Sequence, residues 1–131
     1  MHQFEVRTRQ RSEMIEITGQ VKDTIRSAGV KRGLCVVYCP HTTAAITINE
    51  NADPDVVHDV LLWYDRLVPH EQPGFRHAEG NSDSHIKATL VGPSVTILVE
   101  NGSPVLGRWQ GIFLCEFDGP RTRAVMVQVV E

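Results

Sequence analysis

Apolar and polar residues alternate through Phe4-Glu5-Val6-Arg7-Thr8-Arg9, the period-two pattern of a half-exposed strand, and Met14-Ile15-Glu16-Ile17 reads as its hairpin partner. Thr18 then caps a helix that carries Val21, Ile25 and Ala28 on one face and stops at Gly29. Leu34 to Tyr38 is a continuous apolar, β-branched run, which predicts a central strand covered on both faces, and Ala45 to Asn49 alternates again as the next strand. Asp53-Pro54 opens the best-marked helix of the chain, with Asp as N-cap and Pro at the first helical position. Val57, Val60, Leu61, Tyr64, Leu67 and Val68 follow at helical spacing until Pro69. After an irregular stretch, Ser82 or Asp83 can cap a short helix from about Ser84 to Val91. Val95 to Val99, Gln110 to Phe117 and Arg123 to Val130 are three further strands, separated by turn sequences at Asn101-Gly102-Ser103-Pro104 and Asp118-Gly119-Pro120. The order ββαββααβββ predicts an α+β fold: one sheet-rich domain over residues 1–131, mostly antiparallel, with two to three helices.

Composition narrows the function. The 131 residues suffice for one domain with a real core. The formal charge is −3 and the thirteen basic residues are scattered, so the basic stripe of a nucleic-acid binder is missing. No apolar stretch approaches membrane-spanning length, and Met1-His2-Gln3-Phe4-Glu5 lacks the apolar segment of a signal peptide. The expectation is a cytoplasmic, soluble protein that acts on a small molecule, with no nucleic-acid or membrane partner. Cys35, Cys39 and Cys115 lie in apolar runs, an odd count without a CxxC pair, and are read as buried structural thiols.

The stretch His77-Ala78-Glu79-Gly80-Asn81-Ser82-Asp83-Ser84-His85 holds two imidazoles, two carboxylates, an amide and two hydroxyls without one large apolar side chain. It cannot enter a core, because buried polar groups need partners. It is either a solvated loop or the lining of a site. His41 closes the most buried-looking strand, a position suited to a ligand or an acid/base group. His41, His77 and His85 together could surround one ion and leave a position open for water or substrate. Glu79, Asn81 and Asp83 could add ligands or orient the rings. The plain alternative is that each histidine bonds locally, and the spacing matches no compact metal signature such as HExxH. Gly80 to Ser84 also leads into a helix N-terminus, where free N–H groups favour an anion, with Lys87 and Arg76 close in sequence. Glu50, in Asn49-Glu50-Asn51, could bind a cation or act as a base; the ordinary reading is loop solvation. In Gly107-Arg108-Trp109-Gln110-Gly111, Trp109 could stack on a planar ring, Gln110 bond a heteroatom and Arg108 take a phosphate. Arg121 belongs first to a turn but could face a neighbouring site.

These segments resemble the YjbQ, or UPF0047, family, also called the secondary thiamine-phosphate synthase family. The resemblance rests on His41-Thr42-Thr43 through Asn49-Glu50-Asn51-Ala52-Asp53-Pro54, on His77-Ala78-Glu79-Gly80-Asn81 with His85-Ile86-Lys87-Ala88, on Leu106-Gly107-Arg108-Trp109-Gln110-Gly111, and on Glu116-Phe117-Asp118-Gly119-Pro120-Arg121. It implies a compact α+β domain assembling as a homotrimer, with the family's histidines at His41, His77 and His85 as metal ligands. The Gly107–Gly111 segment could then reach the site from a neighbouring subunit. The implied activity joins a pyrimidine-methyl diphosphate to a thiazole phosphate and releases diphosphate. Such chemistry calls for a divalent metal: Mg²⁺ suits the diphosphate, whereas imidazoles suit Zn²⁺. On this reading Glu79, Asp83 and Glu50 are the candidate catalytic groups, and Asn81, Lys87, Arg108, Trp109, Gln110 and Arg121 the candidate substrate contacts. A metal-dependent hydrolase, or a ligand-binding or regulatory trimer without turnover, are the alternatives.

Overall fold

In the computed structural model, which describes residues 1–131, eleven elements follow in order. They are β1 (His2–Arg7), β2 (Glu13–Glu16), α1 (Thr18–Ala28), β3 (Gly33–Tyr38), β4 (Ala44–Glu50), α2 (Pro54–Leu67), α3 (Ser82–Val91), β5 (Ser94–Glu100), β6 (Ser103–Pro104), β7 (Gln110–Glu116) and β8 (Thr122–Val130). The strands form two antiparallel sheets, β1-β8-β3-β5-β6 and β2-β7-β4. The α+β reading therefore holds, and β6 is the one strand the pattern did not reveal, being two residues long.

The pairing differs from a local hairpin at the N-terminus. β1 pairs with β8, and β2 pairs with β7 in the other sheet. The link between them, Thr8 to Ser12, crosses from one sheet to the other and is braced by Glu13, whose carboxylate accepts from the backbone N–H groups of Arg9 and Gln10. Such a long-range pairing carries no turn signature that a sequence could display. β3 is central, flanked by β8 and β5, as its apolar run predicts. It is covered on one face only: Leu34, Tyr38 and Leu98 stay exposed on the other.

The core lies between the inward faces of the two sheets and α1. Val37, Val125 and Val127 of one sheet meet Ile46, Ile112 and Leu114 of the other, with Val21 and Ile25 beside them. The three cysteines are free and buried, Cys35 and Cys39 in this core and Cys115 in a smaller cluster with Ala45, Ala88 and Phe117, and burial pushes the Cys35 thiol up to about 11 and Cys115 to about 12. They are protonated packing groups rather than nucleophiles. α2 begins as its sequence dictates, Asp53 accepting from the Asp55 N–H at 2.9 Å with Pro54 in the first turn. It has no fully buried residue and rests on the body through Leu61 and Tyr64, the latter edge-on to Phe117. α3 starts at Ser82, two residues earlier than expected, with Asn81 at the cap position but without a side-chain capping bond. No helix is long and apolar enough to cross a membrane.

Candidate functional site

At one end of the β2-β7-β4 sheet the chain leaves β3 at Tyr38 and turns through Pro40 and His41 into β4. β8 runs past this turn, and its ladder with β3 ends at the Tyr38–Met126 pair. The Ala124 N–H, which lies beyond that last pair, is instead taken by His41 Nε2 at 2.9 Å. An imidazole that accepts at Nε2 is neutral and carries its proton on Nδ1. The electrostatics agree: burial and then the charge of Arg123 hold His41 below the usual histidine value.

His41 is one wall of a cleft of about 390 Å³ that also takes lining from Thr42, Thr43, His77, Glu79, Asn81, His85, Asp118, Arg121 and Arg123. His77 and His85 stand edge to face with ring centres 5.4 Å apart, and the Glu79 carboxylate lies 4.0 Å from His77 Nε2. Asn81 is buried, and its Nδ2 donates to Asp118 at 2.7 Å. Its Oδ1 is the one buried side-chain polar atom of the molecule without a hydrogen-bond partner. Leaving such an acceptor unmade costs about 1–3 kcal/mol. Burial opposes the charge of Asp118, but the Asn81 amide and the Arg121 guanidinium outweigh it and hold the carboxyl below the usual range.

The floor of the cleft is a buried ion pair. Arg123 donates to both Glu116 oxygens and, at 2.8 Å, to Thr43 Oγ1, while Thr8 Oγ1 donates to Glu116 at 2.9 Å. Glu116 is wholly buried and Arg123 is 4% exposed, so every charge here depends on its partners. Gly119 completes the turn above: a Cβ there would collide with the Gln10 carbonyl oxygen. Arg123, Glu116 and Thr8 were not among the residues the sequence pointed to. The signal existed, since Arg123 shares strand parity with buried Val125 and Val127, and Glu116 with Ile112 and Leu114. Opposite charges at two inward positions of adjoining apolar strands call for each other.

The structure thus brings together His41, His77, His85, Glu79, Asn81 and Arg121 in one cleft. All three imidazoles line it, but they do not gather around one point: His41 Nε2 is occupied, and no set of three His, Cys, Asp or Glu side chains is arranged to hold an ion. Asp83 does not line the cleft. Its side chain is wholly buried and receives two bonds from Arg11, both 3.0 Å, with Lys87 at 3.6 Å and His70 at 3.3 Å. Burial opposes its charge, but the bonds and charge of Arg11, with Lys87 and His70, hold the carboxyl below the ordinary range. Lys87, 1% exposed, is likewise taken up by Asp65 at 2.6 Å rather than presented to a ligand.

Glu50 and the Arg108–Gln110 segment lie at the opposite end of the same sheet, about 20 Å away along the seven residues of β7. There Arg108 and Gln110 line a second cavity of about 620 Å³ with Glu16, Lys22 and Asn51. Trp109 is half exposed beneath the Arg108 guanidinium, 4.8 Å from the ring centre, and Gln110 Oε1 accepts from the Gly107 N–H. Glu50 accepts from the Asp53 N–H at the start of α2. Within one chain none of these residues reaches the histidines.

Comparison with known proteins matches residues 2–131 to a family described as UPF0047 protein YjbQ-like. The chain is 48% identical over 130 residues to a UPF0047 protein of Methanocaldococcus jannaschii, covering 99% of this chain and 94% of that one. It is 49% identical over 127 residues to the UPF0047 protein YugU of Bacillus subtilis, covering 97% and 96%. Among solved structures, an uncharacterized YjbQ/UPF0047 protein of Clostridium acetobutylicum superposes with a TM-score of 0.97 at 48% identity, covering 99% and 100%. A conserved hypothetical protein of Thermus thermophilus gives 0.92 at 40% identity, covering 99% of this chain and 100% of that chain.

Proposed function

The chain belongs to the UPF0047 family of YjbQ-like proteins, and from that premise and the cleft we propose a metal-dependent enzyme that acts on a small anionic substrate. The observation that carries this reading is the His77–His85 pair. Two imidazoles bound to one tetrahedral ion through nitrogens at about 2.0–2.1 Å have ring centres about 5 Å apart. The observed separation is 5.4 Å. Asn81 Oδ1, buried on the wall of the same cleft and without a donor, is suited to complete the set as an oxygen ligand. The ligand set in this proposal is therefore His77, His85 and Asn81, with His41 as a neutral neighbour that carries its proton on Nδ1. Two imidazoles favour Zn²⁺ or a similar ion over Mg²⁺.

A divalent ion so held would supply Lewis-acid stabilisation to an oxygen anion as it departs. The chain's own groups do the rest. Arg121, half exposed at the rim beside Asp118, is the cation open to a phosphate or diphosphate, whereas Arg123 in the floor is neutralised by Glu116. Glu79, 4.0 Å from His77 Nε2, adds a negative charge beside that ring. The reaction assigned is the thiamine-phosphate synthase type, in which a C–N bond forms to the thiazole, the C–O bond to diphosphate breaks and diphosphate leaves with its electron pair. The Arg108–Gln110 segment would join such a site only from another copy, which makes a homotrimer part of the reading.

Co²⁺ titration followed by its visible absorption tests the ion site. The expected result is one ion per chain with a four- or five-coordinate spectrum, and at least a hundredfold weaker binding in His77→Ala and in His85→Ala. Thiamine phosphate formation is measured alongside. Metal binding without product would leave the cleft a binding site. No metal in the wild type, with both variants unchanged, would leave the two rings an ordinary edge-to-face contact and end the proposal.

A further inference from the structure

α3 is built inside out. Its buried positions are Asp83, Ser84, Lys87 and Ala88, whereas Ile86 and Leu90 on the other side are 37% and 58% exposed. An amphipathic helix on a domain surface ordinarily does the reverse. The inward charges are accounted for by Arg11 and Asp65, which they pair with. Nothing in the fold accounts for the outward apolar pair, which lies at i, i+4 spacing and forms one strip.

That strip adjoins the histidines. A cavity of about 520 Å³ is lined by Gly74, Phe75, Arg76, Ser82 and Ile86, and by the same His77 and His85 that line the polar cleft. Phe75, 38% exposed, faces this cavity from the loop before α3. The two imidazoles are therefore lining common to two unlike depressions: one polar, with Arg121, Asn81 and Thr42, and one open to solvent whose apolar side chains are Phe75 and Ile86, beside Arg76 and Ser82.

We infer that Phe75 and Ile86 form an apolar subsite for the same molecule whose anionic end lies in the histidine cleft, so that the substrate carries a flat apolar body directly beside its anionic group. This rests on the reading of the cleft as an anion site. A ligand that spans the histidine pair gains charge neutralisation on one side and apolar burial on the other. Small phosphates without such a body forgo the second gain, so this subsite sets specificity.

The test uses the full chain with saturating Zn²⁺ and two probes, methylphosphonate and phenylphosphonate, titrated calorimetrically. Phenylphosphonate is expected to bind about tenfold more tightly, the scale of burying most of one ring. In Phe75→Ala and in Ile86→Ala the ratio should fall to within about twofold, while methylphosphonate affinity stays at the wild-type value. Both side chains are exposed enough for the variants to fold. Equal binding of the two probes by the wild type, or a ratio that survives both substitutions, overturns the subsite and leaves the cleft standing. Failure of both probes to bind overturns the anion cleft and the subsite with it.

Discussion

The two ends of the β2-β7-β4 sheet use the same three strands and similar residue types, yet they are held in opposite ways. At the Glu116 end, Glu116 and Arg123 are buried under the cleft and bond to each other, to Thr8 and Thr43 and to the backbone. At the Gln110 end, Glu16 accepts from Thr18 Oγ1 and Asn51 Nδ2, both at 2.8 Å, but it does so in the open. Gly111 makes room for that arrangement, since a Cβ would sit 2.7 Å from the Glu16 carboxylate. Polar residues at a strand end do not by themselves make a rigid site. Burial forces exact partnering, because an unpaired charge there is intolerable, and partnering in turn fixes geometry.

The contrast can be broken in order of size. Glu116→Gln leaves Arg123 buried without its counter-charge and should lower unfolding stability by about 3–5 kcal/mol, read by urea denaturation. Asp83→Asn keeps one acceptor for Arg11 but removes the other and the charge, and because Arg11 is 38% exposed the loss should be smaller, about 2 kcal/mol. The Asp83 carboxyl is held below its ordinary value in the folded chain. Its contribution is therefore complete above the unfolded value, about pH 4, and disappears as the pH falls through the lower folded value. The stability difference between wild type and Asp83→Asn should shrink over that acid window and be constant above it. At the other end Glu16→Gln should cost about 1 kcal/mol or less. Trp109→Ala should change stability by no more than about 0.5 kcal/mol, since its ring is exposed and its partner Arg108 is exposed as well. Stability losses at the Gln110 end as large as those at the Glu116 end would erase the distinction.

The same distinction explains what the sequence could say. Local signals were readable: the Asp53-Pro54 helix start, the strands around Val37 and Ile97, and the polar loop that does bring His77, Asn81 and His85 to one place with His41. What escaped were partnerships between distant segments. Asp83 looked like a free carboxylate because Arg11, 72 residues away, is invisible from its own neighbourhood. Lys87 looked like a cation for a ligand because Asp65 lies on another helix. β1 and β2 looked like a hairpin because each partner strand, β8 and β7, comes at the far end of the chain. Polar residue types announce chemistry, whereas their occupancy by other residues is a property of topology.

The cleft floor is stitched from positions 8, 43, 116 and 123, and the bonds that tie the Glu116–Arg123 pair to Thr8 and Thr43 span 108 and 80 residues of chain. Closing loops of that length is entropically demanding and comes only with global folding. A nascent polypeptide accordingly cannot assemble this floor until β8 has emerged. A fragment cut before Arg123 lacks the ion pair on which the cleft rests.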